Sequence, residues 1–268
     1  MNNRFSFKRL LLLIQKQFSE NVKLYLYGTL ALLGLLAIVM FLWVLFGGNS
    51  YSGNTLFEFY LMGLFILGAI FASFSFSMLS SKDKGIYWLT LPASHGEKLA
   101  CALFYNVLVF TVVYTLCYLL VAKGAAEYVS ELVCKHPEKY HFYHINWSKP
   151  KGSSWEELRC VLYAFFAVQA LYLLGSVYFK KYSFVFTTAV GALLIIAFIF
   201  FIKSLSASFN KYGATFDIVN AHGTANGVWQ KEYFFNHTVS GIIIFLAKFI
   251  WAPFFWLVTW FRLREKEI

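Results

Sequence analysis

The sequence predicts an all-α integral membrane protein with six transmembrane helices, and three observations predict it. Of its 268 residues, 59% are hydrophobic and 21% aromatic, with a mean hydropathy of +0.61. Charged residues make up only 13%, about half the ~25% of ordinary soluble domains and too few to clothe a water-soluble fold of this length. Six apolar runs approach the roughly 20 residues that cross a bilayer as a helix. Basic residues are shared unevenly among the connectors, as a multi-pass topology requires.

The chain begins with an amphipathic stretch, FSFKRLLLLIQKQFSENVK. Phe7, Leu11, Ile14, Phe18 and Val22 fall on one helical face, and Lys8, Lys16, Ser19, Glu20 and Lys23 lie mostly on the other. This spacing predicts an interfacial helix over 1–23, lying flat with its lysines toward headgroups. Lys16, Glu20 and Lys23 would be costly inside hydrocarbon. The spans follow at about 24–46, 59–79, 99–121, 160–179, 183–202 and 240–261. The first five contain no Asp, Glu, Lys or Arg, and the sixth contains Lys248 alone. Their length and lack of period-2 alternation exclude a β-barrel. The first run is too long for a cleaved signal peptide and lacks a small-residue cleavage site.

Orientation follows from the basic residues. The N-terminus, the stretch 80–98, the Lys180–Lys181 turn and the tail hold thirteen basic residues against five acidic ones. The opposite side holds nine against eight. Positive-inside bias therefore places both termini and 80–98 in the cytoplasm, and predicts outer loops at 122–159 and 203–239. Membrane lipids account for the basic surplus, with no need for nucleic acid.

Within the spans, Ala69, Ser73 and Ser77 recur every four residues. Small residues at this spacing let helices approach closely; the serines could equally line a polar translocation path. Lys248 either snorkels outward or faces a watery cavity and touches substrate. Pro253, five residues on, is expected to kink the last span. In the loops, Cys134, His136, His141 and His144 are soft-metal ligand types, but their spacing matches no metal signature, so no metal is expected. Cys134 and Cys160 share the outer side, where a disulfide is permitted. The stretch GNSYSGNT, Gly48–Thr55, imitates a phosphate-binding loop but has Asn54 in place of its lysine, and reads as a turn. No nucleophile–base pair, zinc-protease motif or intramembrane carboxylate appears, so no catalytic residue is assigned.

The informative connector is SSKDKGIYWLTLPASHGEKLAC, Ser80–Cys101. It carries five charged side chains yet displays Ile86, Tyr87, Trp88, Leu89 and Leu91. Pro92 stops the preceding segment from running into the next helix. Ser94 and Glu97 are spaced as a capping box that starts the third span. Tyr87 and Trp88 fit headgroup aromatics, and equally an apolar knob flanked by Lys82, Lys84 and Lys98 that docks into a partner's groove.

The stretch KDKGIYWLTLPASHGEKLACALFY resembles the inner loop of the ABC type-2 permeases, the membrane subunits of one class of ATP-binding-cassette exporters. Relatives from Bacteroidetes-like bacteria carry a Leu-Pro-Ala/Ser-Ser-x-x-Glu-Lys pattern, matched here by Leu91, Pro92, Ala93, Ser94, Glu97 and Lys98. The six-span plan, cytoplasmic termini and flat N-terminal helix resemble the family over nearly the whole chain; the outer loop 122–159 is bulkier than expected. The resemblance implies a bacterial inner-membrane permease that pairs with a second copy or a paralogue. It also implies that two separate ABC ATPase subunits bind ATP and Mg, with no cofactor on this chain. Lys84, Gly85, Ile86, Tyr87 and Trp88 would seat in an ATPase cleft, with Leu91, Pro92, Ser94, Glu97 and Lys98 fixing the junction. Two other classes stay open on the sequence: a membrane anchor or immunity-type protein without transport, and a membrane enzyme using the outer His/Cys cluster.

Overall fold

The computed structural model describes residues 5–46, 50–80, 85–88, 91–138, 141–143, 155–179, 181–210, 219–223, 229–233, 245 and 249–265. Helices dominate them. They are α1 (Phe7–Phe46), α2 (Gly53–Phe74), α3 (His95–Leu103), α4 (Phe110–Lys135), α5 (Trp155–Tyr178), α6 (Ser183–Asn210) and α7 (Trp251–Glu265). A π-helical turn, Phe104–Val109, joins α3 to α4, so His95–Lys135 is one helical stretch. Four helical segments among the described residues are long and apolar enough to cross a membrane: Phe7–Phe46, Thr55–Phe74, His95–Lys135 and Val161–Tyr178. A shorter apolar helix covers Ser183–Ala197. The protein is thus an α-helical membrane protein.

Several expected boundaries move. The division at residue 23 between a flat helix and the first span is absent, because α1 runs unbroken for 40 residues, about 60 Å at 1.5 Å per residue. Nothing near Lys23 breaks a helix, since Pro and Gly are absent between Phe7 and Tyr27. The second span ends at Phe74 rather than at 79 and is followed by a 3-10 turn, Ser77–Ser80. The third continues to Lys135, so the first fourteen residues of the expected loop 122–159 are helical. Ala-rich and charged, this extension carries Lys123–Glu127 and Glu131–Lys135 pairs at helical spacing, which support an exposed helix modestly. Likewise α5 starts at Trp155 and α6 runs to Asn210.

Among the described residues, two small strand pairs accompany the helices. β1 (Ser50–Ser52) pairs in parallel with β2 (His141–Tyr143), so part of the expected turn at 48–55 is a strand. Tyr51 is buried there, meets Trp43 edge-on and donates its hydroxyl proton to the Val44 carbonyl. β3 (Val219–Gly223) and β4 (Trp229–Tyr233) form an antiparallel pair within the expected loop 203–239. Pro253 lacks the N–H that would reach Phe249, and the chain bends at Ile250 before α7 begins at Trp251.

Packing centres on α5, which lies against α2, α6 and α7, while α1 packs on α4. One buried cluster joins Leu36, Met40 and Trp43 of α1 to Leu56 and Leu64 of α2 and Tyr114, Tyr118 and Val129 of α4. Its tyrosines bury hydroxyls without leaving them unpaired: Tyr114 donates to the Tyr60 carbonyl and Tyr118 to that of Leu56, bonds that matter where no water competes. A second cluster, near the opposite end of α2, gathers Phe76, Leu99, Ala102, Leu173, Val177 and Leu263, with Trp88 against it. By contrast α6 leaves Val185, Val190, Leu193, Leu194, Ile195 and Ile196 exposed, an apolar circumference suited to lipid.

Glycines set the closest approaches. A Cβ on Gly175 of α5 would overlap Oγ1, Cβ and Cγ2 of Thr187 on α6, and a β-branched side chain in a helix has little freedom to yield. Gly175→Ala is expected to separate α5 from α6 and cost about 1–3 kcal/mol. Denaturant titration in mixed micelles measures this; Gly191→Ala, where the added carbon meets only the end of Leu171, should cost far less.

Candidate functional site: the connector and its braces

The connector leaves α2 through the 3-10 turn, forms one helical turn at 85–88, bends at 91–93 and enters α3. The predicted capping box is present: Ser94 Oγ accepts from the Glu97 N–H at 3.3 Å, and Glu97 Oε2 accepts from the Ser94 N–H at 2.8 Å. Pro92 is exposed and Leu91 half-buried beside it, with the Ala93 N–H closing onto the Leu91 carbonyl at 2.7 Å.

Glu97 also holds a partner ninety-one residues away. Its Oε1 accepts from the Ser6 N–H at 2.6 Å and lies 3.2 Å from the Arg9 guanidinium. The Ser6 carbonyl takes the first helical bond of α1, from Leu10. Ser6 is therefore the cap residue of α1, and its N–H is one of that helix's orphan donors. One fully buried carboxylate thus closes the N-termini of two helices, where both helix dipoles favour negative charge. Two N–H donors and a guanidinium suit the ionised form.

Further contacts run up the α1–α3 seam. The Tyr105 hydroxyl donates to the Ile14 carbonyl at 2.8 Å, and the Tyr105 ring stacks on Tyr25 at 5.6 Å. Cys101 Sγ donates to Gln17 Oε1 at 3.2 Å. Asn106, in the π-helical turn, bonds Ser75 at the end of α2 and donates to the Ala102 carbonyl. Sequence reading missed Ser6, Arg9, Gln17, Tyr105 and Asn106. Their partners lie 31 to 91 residues away, beyond any local pattern; the available hint was a lone acid at a membrane boundary with an arginine elsewhere on that side.

The apolar knob divides. Ile86 and Tyr87 are 62% and 52% exposed, while Gly85 is buried. Trp88 turns inward rather than outward: it meets Phe76 edge-on at 5.6 Å, and Lys98 Nζ sits 4.8 Å over its ring. Lys98 is itself buried, so it does not flank the knob as the sequence suggested. Tyr87 is tied to α1, with its hydroxyl donating to Glu20 at 3.1 Å and Lys16 Nζ 4.9 Å over its ring. Lys84 lies outside the described residues.

The remaining candidates do not join this site. Ser73 is buried and donates back to the Ala69 carbonyl, as close packing requires. Ser77 is exposed in the 3-10 turn, past the end of α2, so the four-residue stripe stops at Ser73. Lys248 and His144 lie outside the described residues. Cys134 has a free, exposed thiol, and the side chain of Cys160 lies outside those described. Cys134 and His136 lie at the end of α4 and His141 in β2; among the described residues no three His, Cys, Asp or Glu side chains gather as metal ligands.

Removing the Glu97 carboxylate uncaps α3 and strands the Ser6 N–H. Glu97→Ala is expected to cost on the order of 2 kcal/mol and to speed hydrogen exchange at both Ser6–Leu10 and Ser94–Lys98. Glu97→Gln, which keeps an accepting oxygen, should lose less. Exchange accelerated at 94–98 alone would mean the carboxylate does not hold α1.

Compared with protein-family models, with curated proteins and with solved structures, the chain gives no match, so function must be argued from its own residues and geometry.

Proposed function

We propose that this chain is the permease subunit of an ABC type-2 exporter in a bacterial inner membrane, powered by separate ATPase subunits that hold ATP and Mg. In this reading it has six spans and cytoplasmic termini, and pairs with a second copy or a paralogue. The observation that carries it is the turn at 85–88, which exposes Ile86 and Tyr87 while Trp88 locks its base into the second buried cluster. Exposed apolar side chains on a rigid, well-anchored turn suit docking in a protein cleft. The same turn touches α1 through Tyr87 and α3 through Trp88, which Lys98 covers, so force on it reaches two helices. ATP biases the spans only through contacts that differ between their states, and a turn braced on both helices supplies such contacts.

Two variants separate docking from folding. Ile86→Asp, at an exposed position, should leave thermal stability within about 0.5 kcal/mol yet remove an ABC ATPase from full-length tagged protein purified from its own membranes. Trp88→Ala should instead destabilise the connector by about 2 kcal/mol, less than a fully buried Trp. Wild-type protein that retains no ATPase, or Ile86→Asp protein that retains it fully, overturns the reading.

A further inference from the structure

A cavity of about 170 Å³ opens where the α1–α3 seam meets the connector and the end of α2. Apolar side chains, among them Leu24, Phe71 and Phe74, line it together with Lys16, Lys98 and Trp88. The titratable groups facing it are Lys16, Lys98, Glu20, Tyr25, Tyr87, Tyr105 and Cys101. These bring two lysines against one acidic side chain, Glu20, which Lys16 meets at 3.8 Å and the Tyr87 hydroxyl at 3.1 Å. Each ammonium lies over an aromatic ring, Lys16 at Tyr87 and Lys98 at Trp88. Both lysines and both rings line the same cavity. The cavity lies at the end of α2, an apolar helix long enough to cross a membrane, where hydrocarbon would give way to headgroups.

A cavity lined by two lysines and by apolar side chains at this depth is complementary to an anionic amphiphile. We infer that the cavity binds the phosphodiester headgroup of an anionic membrane lipid, with the proximal acyl chain along Leu24, Phe71 and Phe74. The site needs no ATPase and stands apart from the proposed transport role. The lipid touches α1 through Lys16, the connector through Trp88 and α3 through Lys98, so it would hold these three together from the bilayer side.

The test is equilibrium binding to full-length protein in an uncharged detergent, with bound lipid counted by native mass spectrometry. Phosphatidylglycerol should bind saturably and more tightly than phosphatidylcholine of the same chains. Glycerol phosphate, which has the headgroup chemistry without chains, should bind far more weakly. Lys16→Gln should weaken phosphatidylglycerol about fivefold, the effect of one lysine near an anionic headgroup, while Lys135→Gln, at the far end of α4, changes nothing. Lys98→Met should act like Lys16→Gln; if that buried substitution prevents folding, Lys16→Gln decides alone. Equal binding of phosphatidylcholine overturns the charge complementarity. Glycerol phosphate binding as tightly as the lipid overturns the membrane source and leaves a soluble-phosphate site. Equal losses in Lys16→Gln and Lys135→Gln reduce the effect to surface attraction and overturn the site.

Discussion

The arrangement around the connector depends on one buried carboxylate. Glu97 caps α3 through Ser94 and closes the start of α1 through Ser6 and Arg9. A carboxylate removed from water is costly unless its lone pairs are satisfied. Here the donors are two backbone N–H groups at helix starts and one guanidinium, so the charge is compensated by groups that also need it. The outcome is geometric: the first turn of the chain is held against a helix beginning almost ninety residues later.

From that anchor the seam continues in the same currency, polar groups that find partners where lipid offers none. Tyr105 reaches a backbone carbonyl of α1, Cys101 reaches Gln17, and Asn106 ties the π-helical turn to Ser75. The π turn and the Asn106 bonds coincide, and such bulges recur where a helix adjusts to hold a side chain in place. Above this polar band the aromatic and aliphatic cluster of α1, α2 and α4 takes over. The connector is therefore attached to a braced pair of helices rather than hung between two independent spans.

This attachment gives the turn at 85–88 two faces with different physical roles. Gly85 and Trp88 belong to the interior, Ile86 is exposed, and the half-exposed Tyr87 is tied to α1. Turning Trp88 inward fixes the base of the turn. The lysines follow the same logic. Lys98, expected in the rim, covers Trp88 from within, and Lys16 covers Tyr87 from α1, so both form part of the packing.

The sequence by itself determined the solvent and the local grammar. Long uncharged runs demanded helices in a bilayer, Ser94 and Glu97 demanded a cap, Pro92 demanded a bend before it, and Pro253 interrupted the last run near Ile250. These are short-range effects, decided by residues within a turn of each other. Only the tertiary structure decided that α1 is one helix through Lys23, that α4 continues through Lys135, and that Trp88 and Lys98 are interior. It also decided that the second oxygen of Glu97 belongs to Ser6 and Arg9. Hydropathy marks where a helix leaves hydrocarbon but not where it ends, because an exposed helix outside the bilayer needs only good helix formers and spaced charges. And the direction in which a side chain turns depends on which distant element offers it a partner, something no local spacing encodes.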